Sequence, residues 1–119
     1  MLQYFWKTET KGQLTMCITT STDKHIADEI LIRLGIRDYF SHIVTCEESG
    51  GDKEGPEVFL NAHSILNTPK EETVVIEDGI LAIRGAKEAG FYVIAIYDKS
   101  EEENSSEIKK LADLYIESF

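Results

Sequence analysis

Three places along the chain gather side chains suited to handling a phosphate and a divalent cation. The first is Thr19-Thr20-Ser21-Thr22, which follows the hydrophobic run Leu14 to Ile18. Hydroxyls and main-chain N–H groups at a strand-to-helix turn can hold phosphate oxygens. The same residue types also cap helices, and a helix is expected from Asp23 onward. The second is Glu47 to Pro56, an acidic stretch whose single cation is Lys53. Its glycines permit close approach to a ligand, while Lys53 either meets a phosphate or pairs with a neighbouring acid. The third is Glu77-Asp78-Gly79. Two adjacent carboxylates at the end of a buried strand repel each other and lose hydration, and a hard cation such as Mg²⁺ relieves both. The other reading makes Asp78 a helix cap. Hydroxyl, ammonium and carboxylate pair recurring at successive strand ends form a phosphate-plus-Mg²⁺ constellation.

The elements that must position these groups follow from hydrophobic patterning. Runs at Leu14 to Thr19, His42 to Cys46, Thr73 to Glu77 and Tyr92 to Tyr97 are nearly continuous rather than alternating. That is the pattern of strands covered on both faces in a parallel sheet. Leu114 to Ile116 is a weaker fifth strand. Helical spacing fills the gaps. Ile26, Ile30, Leu31 and Leu34 precede a stop at Gly35, and Val58, Phe59, Ala62, Ile65 and Leu66 follow Pro56 as first helical residue. Ile80, Ile83, Ala86 and Ala89 end at Gly90, and Ile108, Leu111 and Ala112 form a last helix. Thr68 and Glu71 stand at capping-box spacing, and the acidic stretch from Asp98 to Ser106 reads as solvated loop. Alternating strands and helices give an α/β fold. It is a three-layer, Rossmann-like parallel sheet with helices on both faces, in one domain over residues 1–119. Ligands in such sheets sit beyond the C-terminal strand ends.

Composition removes other classes. With 119 residues and a net charge of −10, the chain lacks the basic face of a nucleic-acid binder. No apolar run approaches the roughly 20 residues of a membrane span, and no signal peptide is visible. Cys17 and Cys46 end or sit in hydrophobic runs without a CxxC pair, which fits small buried hydrophobes in a reducing cytoplasm. His25, His42 and His63 have no second ligand at fixed spacing, so structural or surface roles are expected. Tyr4, Phe5 and Trp6 read as a helix face packing on the sheet or as an exposed patch.

Three blocks resemble the haloacid dehalogenase (HAD) superfamily, in particular its β-phosphoglucomutase-like phosphatase branch. Leu14 to Ser21 resembles its second motif, with the motif hydroxyl at Thr19. Gly51 to Phe59 resembles the third-motif region, matching at Lys53, Pro56, Glu57 and Phe59, with Glu54 in place of a proline. Val74 to Gly90 resembles the fourth motif, with Gly79 in place of Ser, Ala82 in place of Gly and Gly85 in place of Ala. The stretch from Leu34-Gly35-Ile36 to Tyr39-Phe40 also fits. The resemblance implies that Thr19, Thr20 and Lys53 bind the phosphoryl group of a small phosphorylated metabolite. It implies that Glu77 and Asp78 hold Mg²⁺.

The first motif, Asp-x-Asp, is absent. The seven aspartates stand at 23, 28, 38, 52, 78, 98 and 113, and no two are spaced by two residues. The nucleophile, the acid/base and the cap domain of the family therefore have no counterpart. The expectation is an incomplete HAD-like core, a fragment or truncated form of a Mg²⁺-dependent phosphatase or phosphomutase, with weak Mg²⁺ binding and no turnover alone. The rival is a non-catalytic module acting through binding or oligomerisation. A response-regulator receiver fits poorly, because the first strand ends in Thr19 rather than in acids. In this family the missing strand is central, so its loss leaves a slot between the second- and fourth-motif strands. Self-association or a strand swap is expected to fill it.

Overall fold

The computed structural model describes residues 14–50 and 55–117 in full and the main chain of 2–8. Six strands form one sheet: β1 (Leu2–Thr8), β2 (Leu14–Thr20), β3 (Phe40–Thr45), β4 (Thr73–Glu77), β5 (Tyr92–Ile96) and β6 (Leu114–Ile116). Their order is β3-β2-β1-β4-β5-β6. The strands expected from continuous hydrophobic runs run parallel to one another, connected through α1 (Lys24–Arg33), α2 (Pro56–Leu66), α3 (Ile80–Glu88) and α4 (Ser105–Leu111). The fold is the expected three-layer α/β sandwich.

The N-terminus departs from expectation in two ways. Tyr4, Phe5 and Trp6 lie in a strand, not on a helix face. That strand occupies the middle of the sheet, where an open slot was expected. β1 pairs antiparallel with β2 along its whole length, from Leu2↔Thr20 to Thr8↔Leu14. It also pairs antiparallel with β4, from Tyr4↔Ile76 to Lys7↔Thr73. The physical reason is main-chain hydrogen bonding: an unfilled centre would leave the facing edges of β2 and β4 without partners.

Helix boundaries follow local chemistry. Asp23, rather than the threonines, caps α1, accepting from the His25 and Ile26 N–H groups. Gly35 and Gly90, with φ of +74° and +91°, end α1 and α3 in the left-handed conformation that the sequence stops require. Pro56 opens α2, and Asn67 closes it at φ 53°. Asn67→Ala should therefore lower stability by about 1 kcal/mol in urea denaturation, whereas Asn67→Gly should not. Thr68 and Glu71 form no capping box. Thr68 Oγ1 instead lies 2.7 Å from Thr73 Oγ1, and a short 3₁₀ turn covers Lys70–Glu72. The expected acidic loop is largely a 3₁₀ helix, Lys99–Asn104.

The main core lies between the sheet and α2, α3 and α4, around Cys17, Phe59, Val75, Ile83, Phe91 and Val93. A smaller one lies under α1, from Ile18, Ala27, Leu31, Phe40 and Ile43. Both cysteines are free and buried, and burial pushes the Cys17 thiol up to about 12, so it is inert packing.

Candidate functional site

The C-terminal ends of the parallel strands bring four of the five sequence-predicted residues to one end of the sheet. Thr19 and Thr20 end β2, Glu77 ends β4 and Asp78 follows it. Ile18 and Ile76 both pair with Tyr4 of β1, so Thr19 and Glu77, one residue further on, lie level with each other. They are two strand spacings apart, roughly 10 Å. Both are buried, Glu77 to 3% exposure. Lys53 lies outside the described residues.

The acidic pair does not cap a helix. α3 begins after Gly79 with no side-chain cap, so the capping role considered for Asp78 is not realised. One Glu77 oxygen, Oε1, accepts from the main-chain N–H groups of Asp78 and Gly79, at 2.9 and 3.0 Å. Its other oxygen, Oε2, is buried with no hydrogen-bond partner, and so is Oδ1 of Asp78. Burial pushes the Glu77 carboxyl well above the usual carboxylate range. The neighbouring Asp78 adds to this, and the two N–H donors only partly oppose it. Burial also raises Asp78, with Glu77 lowering it and Asp98 raising it.

Asp98 was not singled out from sequence. It stands two residues beyond β5, the strand beside β4, and its carboxyl interacts with that of Asp78. It is held low, chiefly by the Ser100 N–H and then by Asp78. Its position after a buried strand is the signal that would have found it. Among the described residues no group of three or more His, Cys, Asp or Glu is arranged to hold a metal. The donors nevertheless fit a hard cation: two buried carboxylate oxygens without partners, on adjacent residues, are what Mg²⁺ satisfies.

The hydroxyl turn is organised locally. Thr20 Oγ1 accepts from the Thr22 N–H at 3.0 Å. Next to it, Thr45 and Glu48 exchange main-chain and side-chain hydrogen bonds at the end of β3. A cavity of about 410 Å³ opens there, lined by Asp23, Lys24, Thr45, Glu47 and Glu48. Lys24, at the start of α1, pairs with Glu48 at 2.8 Å and holds that carboxyl below its ordinary range. A further cavity of about 430 Å³, walled by Lys70, Lys87, Phe91 and Tyr92 among others, lies at the opposite end of β4 and β5 and takes no part in this arrangement. Among the described residues, no helix is long and apolar enough to cross a membrane.

The family model of haloacid dehalogenase-like hydrolases matches residues 7–96. The glyceraldehyde 3-phosphate phosphatase of Methanopyrus kandleri is 36% identical over 85 residues, covering 67% of this chain and 36% of that protein. The phosphorylated carbohydrates phosphatase of Thermotoga maritima is 33% identical over 78 residues, covering 66% of this chain and 36% of that one. The crystal structure of a putative β-phosphoglucomutase from Thermotoga maritima superposes with a TM-score of 0.72 at 27% identity, over 85% of this chain and 47% of that one. The chain thus spans less than half the length of these relatives.

Proposed function

This chain belongs to the haloacid dehalogenase-like hydrolase family, and from that premise we propose that it carries the phosphate- and cation-holding part of a phosphatase acting on small sugar phosphates. The observation that carries the reading is the pair of buried, unpartnered oxygens on Glu77 and Asp78, level with the buried Thr19 hydroxyl. Glu77 and Asp78 would hold Mg²⁺, which, when bound, offsets the negative charge of a phosphate ester. Thr19 and Thr20 would orient the phosphoryl oxygens, and Lys53 would neutralise their charge. Such groups contribute by positioning and by charge stabilisation. With two free buried cysteines, the chain is suited to the reducing cytoplasm.

Attack on phosphorus is another matter. No residue pair matches Asp-x-Asp, and phosphoryl transfer in two steps needs a nucleophile to form the covalent intermediate. These 119 residues should therefore bind without turning over.

The test is a Mg²⁺ titration followed by amide chemical shifts. Shifts centred on Glu77 to Gly79 and on Asp98, saturating at millimolar Mg²⁺, are expected, and Asp78→Asn should abolish them. Shifts that persist in Asp78→Asn would remove the assignment. A generic aryl phosphate with Mg²⁺ should show no turnover above blank. Robust hydrolysis, lost on mutating one of the chain's own residues, would identify an attacking group that this reading lacks.

A further inference from the structure

Three carboxylates converge where β4 and β5 end. The two strands are parallel neighbours, with Glu77 level with Ala95. Asp78 stands one residue past that level and Asp98 three, at the end of the sheet where α/β folds take ligands. The Asp98 main chain is still extended, at φ −137° and ψ 130°, and the 3₁₀ helix Lys99–Asn104 begins immediately after it. Its Oδ1 accepts from the Ser100 N–H at 3.1 Å, which restrains the side chain. The Asp98 carboxyl adjoins that of Asp78, and the Asp78 carboxyl adjoins that of Glu77.

Such a row is costly unless a cation joins it. Among the described residues, no Lys, Arg or His forms an ion pair with any of the three. The deeply buried Glu77 leaves Oε2 without a donor, and Oδ1 of Asp78 is buried in the same state. A buried carboxylate oxygen without a partner carries a large desolvation cost, so these two oxygens mark the cation position. Asp98 is different. It is only partly buried and already holds a donor. The three carboxyls are not arranged to grip one ion directly. Mg²⁺ held by one or two carboxylates keeps several of its waters, and those waters need acceptors. Carboxylates just beyond the ligands supply such acceptors and orient the ligands.

We propose that Asp98 is a positioning residue for a cation held by Glu77 and Asp78: it orients the Asp78 carboxyl and accepts hydrogen bonds from water on the cation. The proposal rests on the cation reading of that pair given above. It has a consequence that a purely structural role lacks. In the ion-free chain the ionised Asp98 and Asp78 repel each other. With the cation present, the Asp98 charge attracts it instead. Removing that charge should therefore stabilise the ion-free chain and weaken Mg²⁺ binding, two effects of opposite sign.

Asp98→Asn tests this, because it keeps an oxygen for the Ser100 N–H and loses the charge. Glu103→Gln is the control. It is exposed on the same 3₁₀ helix and removes an equal charge that acts on neither aspartate. Mg²⁺ alone is titrated at pH 8 against the amide shifts of Glu77 to Gly79. Asp98→Asn should bind about tenfold more weakly than wild type, and Glu103→Gln within about twofold. The urea midpoint of ion-free Asp98→Asn should exceed that of wild type. Wild-type affinity in Asp98→Asn, with the shifts abolished in Asp78→Asn, overturns the role of Asp98 and leaves the acidic pair standing. Shifts that persist in Asp78→Asn overturn the pair, and the proposal with it. Abolished binding in Asp98→Asn would make Asp98 a direct ligand and overturns the water-mediated role. Weaker binding together with a lower urea midpoint would reduce Asp98 to a structural residue, which also overturns the proposal.

Discussion

Removing residues 1–8 abolishes cooperative folding. β1 is the only strand linking β2 to β4, and it does so in mid-sheet. It is paired with β2 along its full length and with β4 over Tyr4–Lys7. Without it, both neighbours face a gap of roughly 10 Å lined by main-chain groups that no water-free core satisfies. Each lost hydrogen bond costs about 1 kcal/mol, and stranded buried groups cost more. A domain of this size holds only about 5–15 kcal/mol in total, so the loss exceeds what the remaining packing supplies. The expected result is a broad, non-cooperative urea transition and loss of hydrogen-exchange protection at Ile18 and Ile76. A single substitution makes the same point more gently. Phe5 pairs with Cys17 on one side and with Val75 on the other. Phe5→Pro removes an N–H from the ladder and should lower stability by about 3 kcal/mol or more. A truncated chain that still unfolds in one sharp transition would show that β2 and β4 can close on each other directly.

The strand that matters most to that result was the least legible in the sequence. The runs that became β2, β3, β4 and β5 are rich in Val, Ile, Thr or Leu and nearly unbroken, so burial on both faces could be read from composition. Leu2–Thr8 lacks such a run, and its role depends on partners far along the chain, next to Val75 and Ile76. Its signal was weaker but present. Three aromatic residues favour strands, and five residues containing Gly12 separate Thr8 from the next run, as in a hairpin. On α1 the periodicity gave the right helix but the wrong burial. Of Ile26, Ile30, Leu31 and Leu34, only Leu31 is buried. Spacing identifies an apolar face but not whether a neighbour covers it. At the site, the acidic pair was legible because Glu77 and Asp78 are adjacent in sequence, whereas Asp98 reaches Asp78 only because β4 and β5 are neighbours.

Raising the pH weakens the ion-free protein through Glu77, and Mg²⁺ opposes that loss. Burial raises the Glu77 carboxyl well above its ordinary range. Between the ordinary carboxylate value and that raised one, the folded chain binds more protons than the unfolded chain. Stability from this group is therefore fully present below the ordinary value and falls as pH rises through the window, by up to about 1.4 kcal/mol per pH unit. Glu77→Gln removes the ionisation. Its carbonyl can keep accepting from the Asp78 and Gly79 N–H groups, and its amide can donate to the unpartnered Oδ1 of Asp78. At pH 8 the variant should be more stable than the wild type by about 1–3 kcal/mol, and the difference should vanish near pH 4. Because the two proteins share every other titrating group, subtracting their urea curves isolates Glu77. A bound cation stabilises only the ionised pair. With a millimolar dissociation constant, about 10 mM Mg²⁺ should therefore add about 1.4 kcal/mol to the wild type at pH 8 and much less to Glu77→Gln. A wild type that gains stability relative to Glu77→Gln as pH rises would mean that the carboxylate is satisfied within the fold. Equal stabilisation of both proteins by Mg²⁺ would place the cation elsewhere.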